Sequence, residues 1–533
     1  MDIAGIVGWE RLRVKGVFPR LAKRGGEGIV AHDIVENLPL KPSFEEFRAR
    51  SGQGNLIPVY TELTADYETP TAAFQQLTNG QYCFLLESAE THDELGRYSF
   101  VGSDPRTVFQ ARGKQVTITQ DGDVQTFESE DDPLKDLENL MAKYRPVADE
   151  NLPVFSGGAV GYLSYDTVRF FEPTVPDPPE DTLGVPDMVF MITDTVVIFD
   201  HRYRRIKAVA NVFVDEHADV EAAYDSARRK VNALVMKLST AVMFKPLLTY
   251  SSTDAPPMAS NTSREEYMAM VDKAREYIHA GDVFQVVPSQ RFEADYGGSP
   301  IDLYRALRSV NPSPYMFCLQ FPDNFALVGC SPEVHVRAID GKIDIRPIAG
   351  TRWRGKTEKE DDALAEELLA DPKERAEHIM LVDLARNDVG RVSEYGSVEV
   401  DDLMVIERYS HVMHIVSSVS GKLHSDKNAY DVMRATFPAG TVSGSPKVRA
   451  MQIINELEKN KRCAYSGAVG YFGFDGNHDS CIALRTAVVK DDKVYVQAGA
   501  GVVADSDPEY EFNETVNKAA ALMRAIERAK EII

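Results

Sequence analysis

Cysteine is scarce: five in 533 residues (Cys83, Cys318, Cys330, Cys463 and Cys481), odd in number, widely spaced and without a Cys-x-x-Cys pair. That argues against a disulfide framework or a cysteine zinc site and points to reduced thiols in a cytoplasmic protein. Long apolar runs are also missing. A membrane-crossing helix needs roughly 18–20 uncharged apolar residues. The richest stretch, Met188 to Phe199, is interrupted by Asp194 and reads as a buried strand. Positive charge is in deficit, with 59 Lys+Arg against 82 Asp+Glu and a formal charge of −23. A surface that wraps nucleic acid is therefore not expected, since phosphate binding needs a basic face. A small anionic substrate remains compatible, because a few converging cations and backbone amides outweigh the global sign locally.

What is present reads as globular, with 44% hydrophobic and 26% charged residues. The length exceeds one ordinary core, so more than one folding unit is expected. The first 24 residues carry six basic side chains, two acidic ones and no apolar signal core. Residues 1–41 are expected to be a mobile extension, with an organellar transit peptide as the alternative. Residues 42–248 read mostly as strands between Gly, Pro and Asp turns, with a helix near 216–239. The Ser/Thr/Pro-rich segment 249–262 is the expected linker. Residues 263–533 form the last unit, opening on a helix capped by Ser263 and Glu266 and continuing with long strands such as Asp282–Arg291. The fold class is α+β.

Two helices are predicted to start alike, at Asp371-Pro372 and Asp507-Pro508, with Asp as N-cap and Pro at the first helical position. Each carries a Glu-x-x-Glu pair, Glu374/Glu377 and Glu511/Glu514, and the i,i+3 spacing puts each pair on one face. In the second helix the apolar stripe is expected at Phe512, Val516, Ala519, Met523 and Ile526, leaving both glutamates off the core. Four carboxylates converging from two helices would suit Mg²⁺. A solvated acidic first turn is the simpler reading of either pair alone.

Gly440 to Lys447 leads into a helix, and Gly499-Ala500-Gly501 follows a strand; each is either an anion cradle or only a turn. His414 lies in a strand-like run, where a lone histidine is more often structural. Arg485 interrupts an apolar strand and implies a partner anion, from the protein or from a ligand. Glu333 ends another strand, at a sheet edge.

In order, Gly329–Glu333, Pro347–Thr351, Glu377–Asp388, Arg408–His414, Thr441–Met451, Gly467–Tyr471 and Gln497–Gly501 form a series. It resembles the chorismate-utilising enzymes, and within them the anthranilate synthase component I family, over roughly residues 42–533. The resemblance implies two large, mostly antiparallel sheets with flanking helices, a tryptophan-binding regulatory region in 42–248 and a catalytic domain in 263–533. It implies an Mg²⁺-dependent lyase that turns chorismate and ammonia into anthranilate and pyruvate. Glu374, Glu377, Glu511 and Glu514 would form the metal site, with Glu377 and Glu514 the direct ligands. Gly350, Thr351, Tyr465, Arg485, Gly499, Ala500 and Gly501 would contact substrate, Arg485 pairing the enolpyruvyl carboxylate. Glu333 would protonate the departing hydroxyl, His414, with Thr441 beside it, would serve pyruvate elimination by proton transfer or electrostatic help, and Lys447 would add positive charge near the leaving hydroxyl.

Two positions separate this chain from sister activities. Salicylate and isochorismate synthases carry a lysine base where Gln285 stands, and an amide cannot deprotonate water. Aminodeoxychorismate synthases commonly carry a lysine nucleophile where Ala349 stands. Ser88, with Pro314, Tyr315 and Met316, resembles a tryptophan feedback site built from both halves. No Gly-x-Cys-x-Gly nucleophile turn occurs, so ammonia from glutamine would require a separate amidotransferase subunit, expected as two of each chain. The rival readings are an aminodeoxychorismate synthase component I and a non-catalytic tryptophan-sensing paralogue.

Overall fold

The computed structural model describes residues 38–532, apart from 79–80, 90–93, 244, 248–257 and 410–411. The expected N-terminal extension and most of the expected linker lie outside the described residues.

Two large antiparallel sheets carry the architecture, as expected. The eleven-stranded sheet starts at Leu56–Thr64 and passes through Cys83–Glu87, Tyr315–Phe321, Phe325–Ser331, Thr486–Lys490 and Lys493–Gly499 to Ser289–Asp295 and Ala259–Ser260. The twelve-stranded sheet starts at Ile348–Trp353 and passes through Val412–Lys422, Val334–Ile339, His478–Ile482, Ala468–Gly473, Gly158–Leu163 and Met188–Thr193 to Asp123–Glu128. Strands from before and after residues 249–262 meet at one seam in each sheet. In the first, Leu85 lies opposite Cys318; in the second, Gly161 lies opposite Gly470. Tyr60, Phe84, Val160, Tyr162, Phe317 and Leu327 belong to one buried apolar cluster that draws on both sheets. The described residues from Pro39 onward form one compact unit.

The two strands that meet at the second seam are close-packed at the backbone against their outer neighbours. A Cβ on Gly161 would fall 1.8 Å from the Val189 carbonyl oxygen, and one on Gly470 would fall 2.1 Å from that of Asp479. Backbone cannot give way as a side-chain tip can, so Gly161→Ala is expected to cost on the order of 3 kcal/mol. Thermal melts check this. Gly52→Ala, with nothing within 4 Å of the new methyl, should melt like the parent, and equal melting of both variants would refute the packing argument.

Two strands expected to be continuous are split. The Met188 to Phe199 run forms Met188–Thr193 in one sheet and Thr195–Asp200 in the other. Asp194 marks the crossing: its carbonyl accepts the Asn211 N–H at 2.6 Å and its carboxylate accepts Lys230. The expected Asp282–Arg291 strand divides into Gln285–Val286 and Ser289–Asp295. Pro288, which lacks an N–H, lies between them. The short first piece pairs instead with Gly444–Ser445, which brings Gln285 to the glycine-rich turn.

Candidate active site

Two crossings between the sheets place an acid beside an arginine. Phe325–Ser331 lies in one sheet and Val334–Ile339 in the other, so Glu333 sits at the passage between them. The chain returns from His478–Ile482 to Thr486–Lys490 through Arg485, whose φ is +46°. The crossings are tied by Cys330 N–H to the Arg485 carbonyl (3.2 Å) and Ile482 N–H to the Glu333 carbonyl (3.1 Å). A non-glycine residue in the left-handed region is uncommon and marks a constrained position.

Glu333 is buried, and Thr441 Oγ1, on the single-turn helix Gly440–Ser443, donates to its Oε1 at 2.7 Å. Burial pushes the Glu333 carboxyl up to about 7, against the pull of the Thr441 bond and of the charges on Arg485 and Lys518. A carboxyl tuned near neutrality is suited to donating a proton. Arg485 is half-buried, and its guanidinium makes no hydrogen bond or ion pair with a protein group among the described residues. A guanidinium so placed can take a ligand anion.

His414 lies on Val412–Lys422 opposite Thr351. Its Nδ1 is 2.9 Å from the Gly350 carbonyl, which can only accept, so Nδ1 carries the proton and Nε2 the lone pair. Thr351 Oγ1 lies 3.1 Å from the same Nδ1. Burial lowers the His414 pKa, and Arg485 lowers it further. Gly350 has φ +70°, and a Cβ there would sit 3.1 Å from Glu374 Oε2.

The two acidic helices form as expected, Pro372–Gly390 capped by Asp371 and Pro508–Lys530 capped by Asp507. The expected stripe of the second holds at Ala519, Met523 and Ile526 and is corrected at Phe512 and Val516. Glu511, Thr515, Ala519, Leu522 and Ile526 are buried, whereas Phe512 and Val516 are only half-buried. The helix packs against Arg264–His279, Pro300–Val310 and Lys493–Gly499, which turns Glu511 inward. Burial pushes the Glu511 carboxyl up to about 7, with Glu514 beside it adding like charge. Glu377 is raised by burial too, and the charges of Glu374 and Glu514 add to that. All four carboxyl groups therefore share one electrostatic neighbourhood.

That neighbourhood holds excess negative charge on groups that are buried or half-buried. Lys518 relieves part of it, donating to Glu514 at 2.6 Å and to the Gly499 carbonyl at 3.0 Å. Among the described residues no three acidic, histidine or cysteine groups stand gathered as a ready-made cation site. The donors nevertheless fit a hard divalent cation in type, sign and number. Gln285 adjoins them: its Nε2 donates to Glu377 Oε1 at 3.0 Å, and its buried Oε1 has no partner. A Cβ on Gly501 would come within 2.8 Å of that Nε2. One on Gly499 would come equally close to the Tyr465 hydroxyl, also 2.8 Å. Ala500, between them, is fully buried.

Lys447 is engaged elsewhere, with its Nζ 2.7 Å from Asp388 Oδ2 and 2.9 Å from the Thr436 carbonyl. Its charge is balanced by Asp388, a partner sequence reasoning missed. Also missed were Lys518, findable as the i+4 neighbour of Glu514, and Arg352, which holds Asp371 and Glu374. At the first seam Met316 lies opposite Glu87, and the Ala89 N–H donates to the Ser313 carbonyl at 3.1 Å, so Ser88 lies alongside Pro314. The Tyr315 hydroxyl donates to Asp479 (2.9 Å) and accepts from Arg337 (2.7 Å).

Residues 81–524 match the chorismate binding enzyme family, the class of protein this fold and cleft define. An anthranilate synthase component 1 from Aquifex aeolicus (strain VF5) is 50% identical over 493 residues, covering 92% of this chain and 99% of that protein. Another, from Synechocystis sp., is 49% identical over 511 residues, covering 91% and 99%. The crystal structure of anthranilate synthase component I from Streptococcus pneumoniae matches with a TM-score of 0.72 at 36% identity, covering 86% of this chain and 99% of that one. The chain belongs to the anthranilate synthase component 1 family of chorismate binding enzymes. No helix among the described residues is long and apolar enough to cross a membrane.

Proposed function

We propose that this chain is a lyase converting chorismate and ammonia into anthranilate, pyruvate and water, the first step of tryptophan synthesis. The observation that carries this reading is Arg485, half-buried with no ion pair to a protein anion among the described residues, beside a carboxyl tuned to about 7. Arg485 pairs a substrate carboxylate. Glu333, held by Thr441, gives its proton to the C4 hydroxyl as it leaves while ammonia adds at C2. Gln285 offers an amide and no base, which disfavours water as the nucleophile. Ala349 offers no nucleophile for a covalent adduct at C4. His414 takes up a proton at Nε2 as pyruvate is eliminated and the ring becomes aromatic.

Mg²⁺, held by Glu377 and Glu514 with Glu374 and Glu511 behind them, would supply Lewis acidity and a template for the ring carboxylate. Such a cation reconciles an acidic cleft with a dicarboxylate. Ammonia comes from glutamine through a separate amidotransferase subunit in a heterotetramer of two of each, a reading supported by the component 1 naming of the relatives. Turnover by the isolated chain should need ammonium, ignore glutamine and stop with EDTA. Glutamine use by the chain alone would overturn the partner, and undiminished rate in EDTA the metal.

Tryptophan binds at the seam of Ser88, Pro314, Tyr315 and Met316. Tyr315 lies opposite Ser331, two residues before Glu333, so occupancy can be felt at the acid. Ser88→Phe fills that site. The variant should keep parental turnover and lose tryptophan inhibition by about tenfold or more, measured as the concentration for half inhibition. Unchanged inhibition would remove Ser88 from the site.

A further inference from the structure

We propose that the buried ion pair Glu458–Arg462 is a positioning pair for the active site, setting four of its elements relative to one another; this rests on the function proposed above. Arg462 is 2% exposed and Glu458 8%. All five guanidinium N–H groups are used. Nε donates to Glu458 Oε2 (2.9 Å), and Nη2 donates to Glu458 Oε1 and to the Val287 carbonyl (2.6 Å). Nη1 donates to the Val442 carbonyl (2.9 Å) and to Ser466 Oγ (3.3 Å). Glu458 Oε1 further accepts both the N–H and the hydroxyl of Ser289, each at 2.8 Å.

The partners explain the assignment. Val442 follows Thr441, which orients Glu333. Val287 follows the short ladder that carries Gln285. Ser289 pairs with Gly499 and accepts Gln497 Nε2 at 2.8 Å. The guanidinium also lies 5.5 Å from the centre of the Tyr465 ring. A single ion pair thus joins the acid-orienting turn, the amide, the aromatic wall and the glycine strand. Burying two charges costs desolvation that their attraction scarcely offsets, and stability alone would be served by two apolar side chains. Planar fork geometry with five fixed donors is what this location uses, and a lysine has three.

The test compares Arg462→Lys and Glu458→Gln with Val231→Ala, a core substitution remote from the site. Each full-length variant is assayed well below its melting temperature with chorismate, ammonium and Mg²⁺. Both pair variants should be folded by circular dichroism, lose ~10–100-fold in kcat and keep KM for chorismate within about threefold. The double variant should be no worse than the poorer single, since the two act as a unit. Val231→Ala should melt lower yet keep parental kcat. If Arg462→Lys does not fold, Ser289→Ala carries the test: it withdraws one donor from Glu458, leaves the pair in place, and should lower kcat about threefold or more. Parental kcat in folded pair variants, or an equal loss in Val231→Ala, would overturn the proposal. A parent chain that makes no anthranilate would overturn the function beneath it instead.

Discussion

Glu333→Gln is expected to lower kcat for anthranilate formation by roughly 10²–10⁴-fold, the usual worth of a positioned general acid. Glutamine keeps the volume of the side chain and can still accept the Thr441 hydroxyl, now 2.7 Å from Oε1. What it lacks is a proton for the departing oxygen. KM for chorismate should stay within about threefold, because no ground-state charge pairing is removed. The pH profile supplies a second readout. With the carboxyl at about 7, the protonated donor is lost as pH rises through neutrality, so parental kcat should decline on the alkaline side. The variant should lack that limb. Stability follows the same sign: a folded pKa raised above the unfolded value stabilises most at low pH and loses that contribution as pH rises through about 7. At pH 8 the variant should therefore melt no lower than the parent. Parental kcat in the variant would remove Glu333 from the proton-donor role.

Arg485→Met is expected to lower kcat/KM for chorismate by roughly 30–1000-fold, most of it in KM, as when one partner of a desolvated charge pair is truncated. Arg485→Lys keeps the charge but loses the fork, and should fall between the two. Because Arg485 makes no ion pair with a protein group among the described residues, neither variant should melt more than a few degrees below the parent. A large fall in melting temperature with unchanged KM would make Arg485 a structural residue instead. Arginine, lysine and methionine meet a comparable cost in the αL backbone of this position (φ +46°), so the variants test the side chain.

The local signals at the helix starts were readable because capping is local chemistry. Asp371 and Asp507 each accept an N–H of the first turn, and the glutamate pairs follow from spacing. Glu511's inward turn was not readable, since the buried face of a helix is set by what packs on it. The alternation that marks a strand carries no information on which sheet it joins. Met188 to Phe199 reads as one strand and serves two, and the crossings that set Glu333 beside Arg485 are invisible for the same reason. Lys447 finds its partner in Asp388, 59 residues away, beyond any periodicity. The family series located the candidate residues; the crossings explain why an acid and an arginine so far apart in the chain stand together.

The most direct measurement is to incubate the purified chain with chorismate, ammonium and Mg²⁺ and follow blue anthranilate fluorescence while identifying the product by chromatography. The account predicts a 2-amino aromatic acid, formed with one pyruvate each and in proportion to ammonium. A 4-amino product would shift the assignment to an aminodeoxychorismate synthase. No product under these conditions, from a chain that still binds tryptophan, would contradict the account and leave a sensor.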